Sequence, residues 1–118
     1  MNSPSVKVIV LNWNGKDLTL ECLESLKKVS YSNYTIIVAD NNSSDNSVET
    51  INTGYPNIPV IKLDKNYGYA GGNNRAFNSL KEDKTEYVIF LNNDTIVDKN
   101  FIFPLIEPFL SNKNIYQT

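Results

Sequence analysis

The sequence predicts an α/β fold, a doubly wound and mainly parallel sheet with helices on both faces. Three observations carry this. Short runs rich in β-branched residues alternate with stretches whose apolar residues recur at helical spacing. Such uninterrupted hydrophobic runs suit strands covered on both faces, the arrangement of parallel sheets. Each strand-like run is also followed by a cluster of Asn and Asp, which marks a polar edge common to all of them. Right-handed crossovers then wind the helices onto both faces.

The first strand is expected over residues 6–11 (VKVIVL), broken by Asn12, Trp13, Asn14 and Gly15. A helix follows over about 17–28, with Leu18, Cys22, Leu23 and Leu26 on one face and lysines in its last turn. Residues 34–39 (YTIIVA) give a second strand, and Asp45 is placed to cap a short helix through Val48 and Ile51. Pro56 and Pro59 separate that helix from a third strand at 60–63. Residues 66–72 then read as a glycine-bearing loop, with a helix running on to about Leu80. The fourth strand is expected at 86–91 (EYVIFL), closed by Asn92, Asn93 and Asp94. A last helical segment over 99–110 is expected to be interrupted by Pro104 and Pro108, because interior prolines break or kink helices.

Length and composition bound the function classes. The 118 residues fit one domain of the usual ~100–150 residues, 41% hydrophobic and 20% charged. A net charge of -2 gives no basic surface for nucleic acid, so an anionic ligand must be held locally by backbone groups or a metal. The chain has no histidine, which removes imidazole bases and ligands. Cys22 is its single cysteine and reads as a small apolar residue on a helix face. No run approaches the ~20 apolar residues of a membrane span, and the first residues lack the apolar core of a signal peptide. A cytoplasmic protein is the expectation. The sequence stops at Ile115–Thr118 without a closing element, and a cut chain is expected.

Open parallel sheets bind ligands at the carboxyl ends of their strands. Asn12–Asn14, Asp40–Asn42, Asp64–Asn66 and Asn92–Asp94 would converge there. Any single cluster is explained by turn chemistry, but four at one edge favour a ligand site. Asp40 either accepts an N–H from a base or closes an Asx turn. Gly68, Gly71 and Gly72 let the backbone approach a ligand closely, and the helix they lead into can offer N–H groups to phosphate. Arg75 either pairs with phosphate or stands in solvent. Asp94 is the metal candidate, since Mg²⁺ and Mn²⁺ need only one or two protein carboxylates when a diphosphate supplies the rest. Trp13 and Tyr67 either line a base or sugar pocket or pack against the sheet edge.

With these clusters in place the chain resembles the N-terminal part of the family 2 glycosyltransferases, and closely the bacterial rhamnosyltransferase-type members. The matching segments are VIVLNWNG (8–15), CLESL (22–26), IIVADNNSSDNS (36–47), NYGYAGGNNRAF (66–77) and FLNNDTIV (90–97), in the family's order and spacing. The resemblance implies a GT-A fold over residues 1–118, forming the nucleotide-sugar-binding half of an inverting glycosyltransferase. It implies a UDP- or dTDP-sugar donor, with rhamnose as the motif-based expectation, and a glycan or lipid-linked acceptor. Asn12, Asn14 and Asn42 would lie beside the nucleotide, and Asp40 would read the base. Asn66, Gly71, Gly72 and Asn73 would close on the ribose and diphosphate. Asn92, Asn93 and Asp94 occupy the D-x-D position, with Asp94 on Mn²⁺ or Mg²⁺. Asn92 replaces the first aspartate of that motif, so one negative charge is missing. The family's general base would fall beyond Thr118, which leaves no catalytic residue in this chain and predicts an inactive fragment. Peripheral association of the full-length enzyme with the inner membrane face, and self-association through an uncovered sheet edge, are further expectations.

Three rivals make different demands. A receiver-like signalling domain needs acidic residues after its first strand, where this chain has Asn12 and Trp13. A nucleotidyltransferase needs a Gly-rich, Arg-bearing loop there, which NWNGK does not supply. A non-catalytic nucleotide-binding module is told from the transferase by sugar transfer alone.

Overall fold

A computed structural model of the chain describes residues 3–80 and 84–111. Four strands, β1 (Val6–Asn12), β2 (Tyr34–Asp40), β3 (Val60–Lys62) and β4 (Tyr87–Asn92), alternate with four helices. The helices are α1 (Lys16–Lys27), α2 (Ser47–Gly54), α3 (Gly68–Asn78) and α4 (Ile102–Ser111). The sheet order is β3-β2-β1-β4, and every pairing is parallel. The expected α/β doubly wound architecture is therefore present.

Strand alternation divides the core in two. Val6, Val8 and Val10 of β1 and Val38 of β2 face Cys22, Leu23 and Leu26 of α1, Ile51 of α2, and Ile102 and Ile106 of α4. Ile9, Leu11 and Ala39 face the opposite way and pack on Ala76 of α3. Helices thus cover both faces, and β1, paired on both sides, is the most enclosed strand.

Three expectations shift. The third strand stops at Lys62, one residue before Leu63. The glycine-bearing stretch is largely helix: Gly68, at φ 78, makes the turn, and Gly71 and Gly72 lie inside α3. The last helix is continuous across both prolines. Pro104 falls in its first turn, where an N–H has no intrahelical acceptor in any case, and only Pro108 forfeits a helical bond.

Asp45 caps more than the one helix expected of it. Its carboxylate accepts the Ser47 N–H (3.0 Å) and the Ser47 hydroxyl at the start of α2. Its other oxygen accepts the Lys16 N–H (3.1 Å) at the start of α1. Burial pushes its pKa up, but the Ser47 and Lys16 hydrogen bonds outweigh this and hold it below the ordinary carboxylate value.

Candidate functional site

The ends of β1, β2 and β4 and the start of α3 surround a pocket of about 300 Å³. Asn41, Asn66, Asn92 and Asn93 supply its amide side chains. Leu11, Trp13, Gly68 and Tyr69 supply the remainder, and the two aromatic side chains are half exposed. A larger cleft of about 440 Å³ lies between β4 and α4, away from the strand ends and lined by apolar side chains. The sheet's carboxyl edge, with its convergent polar groups, is where a polar ligand fits.

Beneath the pocket lies a buried hydrogen-bond network. Asn12 and Asp40 are fully buried. Asn12 Nδ2 donates to Asp40 Oδ1 (2.7 Å) and to Ser43 Oγ (3.1 Å). Asn12 Oδ1 accepts from Thr19 Oγ1 (2.6 Å) and from Asn93 Nδ2 (3.5 Å), and Asn93 Nδ2 also donates to Thr19 Oγ1 (3.0 Å). Asp40 further accepts the Ser43 N–H (2.9 Å) and the Ser43 hydroxyl (2.7 Å). The loops after β1, β2 and β4 and the first turns of α1 are thereby tied at one node.

Several expected site residues consequently take other places. Asp40 does not project over the sheet edge: it turns inward into the Asx-type turn with Ser43, because donors from its own chain satisfy its charge there. Asn41, the next residue, lines the pocket instead. It also clasps the start of α3, accepting the Tyr67 N–H (3.0 Å) and donating to the Gly68 carbonyl (3.0 Å). Asn14 and Asn42 are exposed at left-handed φ of 49 and 66, a conformation asparagine tolerates, and neither lines the pocket. Asn14 Oδ1 accepts the Ser44 N–H (2.7 Å), which joins the first loop to the second. Asn66, which does line it, accepts the Gly68 N–H (2.8 Å) at the entry to α3.

Gly71, Gly72 and Asn73 leave the expected ligand loop for the body of α3. A Cβ on Gly72 would come within 2.8 Å of Leu11 Cδ1 and 2.9 Å of Asn41 Nδ2, so the missing side chain serves close helix–sheet packing. A Cβ on Gly71 would lie 3.0 Å from Tyr67 Cβ. Asn73 is buried against the sheet, and its Oδ1 has no hydrogen-bond partner among the described residues.

Asp94 stands exposed at the turn after β4, which the Thr95 N–H closes on the Asn92 carbonyl (3.1 Å). No group of three or more Asp, Glu, Cys or His side chains that could hold a metal occurs among the described residues. A single carboxylate beside two amides still fits Mg²⁺ or Mn²⁺, which keep several waters and take further oxygens from a bound diphosphate. Burial, and then the Asp94 charge, push the Cys22 thiol up to about 11, so this cysteine stays protonated as a packing residue. Arg75 stacks on the Tyr67 ring, 3.8 Å from its centroid, and the Tyr67 hydroxyl donates to Asp64. That hydrogen bond raises the tyrosine's pKa and lowers the aspartate's.

Thr19 and Ser43 were absent from the sequence-based set, and Asn41 stood in it only as a member of the Asp40–Asn42 cluster, with no role of its own. Thr19 carried a legible signal: it shares a helical stripe with Leu23 and Leu26, and a polar residue on an apolar stripe needs a buried partner.

Comparison with known proteins converges on one family. The family described as Glycosyl transferase family 2 matches residues 7–118. A poly(ribitol-phosphate) beta-glucosyltransferase of Bacillus spizizenii is 30% identical over 97 residues, 78% of this chain and 15% of that protein. The Escherichia coli UDP-Glc:alpha-D-GlcNAc-diphosphoundecaprenol beta-1,3-glucosyltransferase WfaP is 34% identical over 91 residues, 75% of this chain and 35% of its own. Staphylococcus aureus TarS 1-349, solved in complex with UDP-GlcNAc, superposes with a TM-score of 0.76 at 25% identity, covering 92% of this chain and 32% of that one. The chain therefore spans about a third or less of the length of these proteins.

Proposed function

The chain belongs to glycosyl transferase family 2, and from that premise we propose that it binds a nucleoside-diphosphate sugar in the pocket at the sheet's carboxyl edge, for transfer to a glycan or lipid-linked acceptor. The observation that carries this is the pocket itself: four asparagine side chains, two half-exposed aromatics and the start of a helix converge at about 300 Å³. Asparagine amides both donate and accept, which matches the edge of a pyrimidine and the hydroxyls of a ribose. Trp13 and Tyr69 offer ring faces to a base or sugar. The positive end of the α3 dipole, at Gly68, favours the diphosphate.

On this reading Asn41, buried and clasping the start of α3, shapes the floor of the donor pocket, and Asp40 holds the loop that carries it. Asp94 would hold a divalent cation, with the neighbouring Asn92 and Asn93 carrying the neutral contacts. When bound there, the cation supplies Lewis-acid stabilisation of the departing nucleoside diphosphate. UDP is the favoured donor nucleotide, supported by the UDP-GlcNAc complex of TarS and the UDP-Glc donor in the name of WfaP. dTDP-rhamnose is the alternative that the segment resemblance implies. Among the described residues no carboxylate lines the pocket, and we assign the acceptor-side base to the portion of the relatives' length this chain does not span. Binding without efficient transfer follows for the 118 residues. No helix among the described residues is long and apolar enough to cross a membrane. A lipid-linked acceptor would bring the full enzyme to a membrane surface through its acceptor side.

A thermal-shift and calorimetric panel of UDP-, dTDP- and GDP-sugars, with and without Mn²⁺, tests the reading. A UDP- or dTDP-sugar should raise the melting temperature, more so with Mn²⁺. Indifference to the whole panel would remove the donor-site assignment.

A further inference from the structure

The Asn92–Asp94 turn stands at the carboxyl edge of the sheet, where Asn92 and Asn93 line the pocket. The structure shows what holds Asn93. Its amide lies over Gly15, where a Cβ would come within 2.4 Å of Nδ2, and it donates to the Thr19 hydroxyl at 3.0 Å. Thr19 is fully buried, and its hydroxyl donates a hydrogen bond to Asn12 Oδ1 at 2.6 Å. Gly15 has φ -124, so backbone strain does not require glycine there, and the space does.

We propose that Gly15 and Thr19 are positioning residues for the turn that carries Asp94. Gly15 leaves the space that the Asn93 amide fills, and Thr19 supplies the acceptor that keeps it there. Neither residue lines the pocket. With Asn93 fixed, the Asn92–Thr95 turn has one orientation, and Asp94 at its corner is presented to the pocket rim without having to be ordered on binding. The hydroxyl of Thr19 does two things at once, accepting from Asn93 and donating to Asn12, so the turn after β4 is set relative to the turn after β2 through Asn12 and Asp40. This inference rests on the donor-site reading for its consequence, but its structural part does not need a ligand.

Two substitutions on different elements test it. Thr19→Val keeps the shape and removes both the acceptor for Asn93 and the donor to Asn12. Gly15→Ala places a methyl where the Asn93 amide lies, and that amide is the end of a side chain that can swing away at small cost to the fold. Both are expected to raise the hydrogen-exchange rate of the amides at Asn93 to Thr95 in the unliganded chain. Both should also weaken Mn²⁺-dependent UDP binding by roughly three- to tenfold, while binding of uridine changes less. Thr19→Ser should restore both readouts, which a general loss of packing would not allow. Unchanged exchange at the turn in both variants overturns the inference, whether or not UDP binds. If the unsubstituted chain fails to bind UDP while the exchange effect is present, the donor-site reading fails and the positioning of the turn stands.

Discussion

A buried carboxylate and an exposed one, 54 positions apart in sequence at Asp40 and Asp94, stand in contrasting surroundings, and the proposed donor site gives them different roles. Asp40 is enclosed by three donors, from Asn12 and from the backbone and hydroxyl of Ser43. Truncating it would take one of two acceptors from the fully buried Asn12 amide and the only side-chain acceptor from the part-buried Ser43 N–H, at a cost of about 2–4 kcal/mol. Asp40→Ala should therefore lower the melting temperature by on the order of 10 °C as well as weaken nucleotide binding. A variant with unchanged melting but lost UDP affinity would return Asp40 to direct contact with the base. Asp94, exposed and outside that network, behaves in the opposite way. Asp94→Asn should leave stability within about 0.5 kcal/mol and abolish the Mn²⁺ enhancement of UDP binding. Calorimetry with and without the metal checks this, and full metal dependence in the variant would move the site to another acid.

At the scale of elements, what the sequence showed and what it hid have physical causes. Strands β1, β2 and β4 were legible because their β-branched runs are long enough to be covered on both faces. The polar strand ends were legible because every loop carried Asn or Asp. The start of α3 was not, because local glycine content argues for loop, whereas the Asn41 clasp and the packing of Gly72 on Leu11 make helix. The inward turn of Asp40 was also hidden, since its three donors come together only in the fold. Asp45 makes the coupling between elements measurable. Its folded pKa lies below the ordinary 3.8, so the stability it adds is complete above the usual carboxylate range and disappears as pH falls through the lowered folded value. Asp45→Asn should accordingly flatten the acid limb of the stability curve below the ordinary carboxylate range. At neutral pH the loss should stay within about 0.5 kcal/mol, since asparagine caps nearly as well as aspartate and the lost charge is screened by solvent. Parallel melting curves across the acid range up to pH 7 report both, and an unchanged acid limb would remove Asp45 as a source of the pH dependence.

The molecule as a whole is a sheet with both faces covered but its edges unequal. β3 ends one side as a strand of 3 residues, too short to template much pairing. β4 ends the other with 6 residues, Tyr87–Asn92, and no strand pairs its outer side among the described residues. No charged residue interrupts β4, and it runs beside the cleft of about 440 Å³ shared with Leu105 and Phe109 of α4. Phe90 and Leu105 are 42% and 50% exposed there. An unprotected edge next to an apolar groove is what natural sheets avoid with charge, proline or a bulge. The expectation is reversible self-association of this chain through β4, with the groove adding apolar burial to the strand pairing. Sedimentation over a concentration series reaching the order of 100 µM should show it. Leu105→Lys places a charge at the groove's exposed rim and should return the chain to monomer, while UDP affinity at the opposite end of the strands is kept. A chain that stays monomeric throughout, or an association indifferent to the lysine, would show that the β4 edge is not the contact.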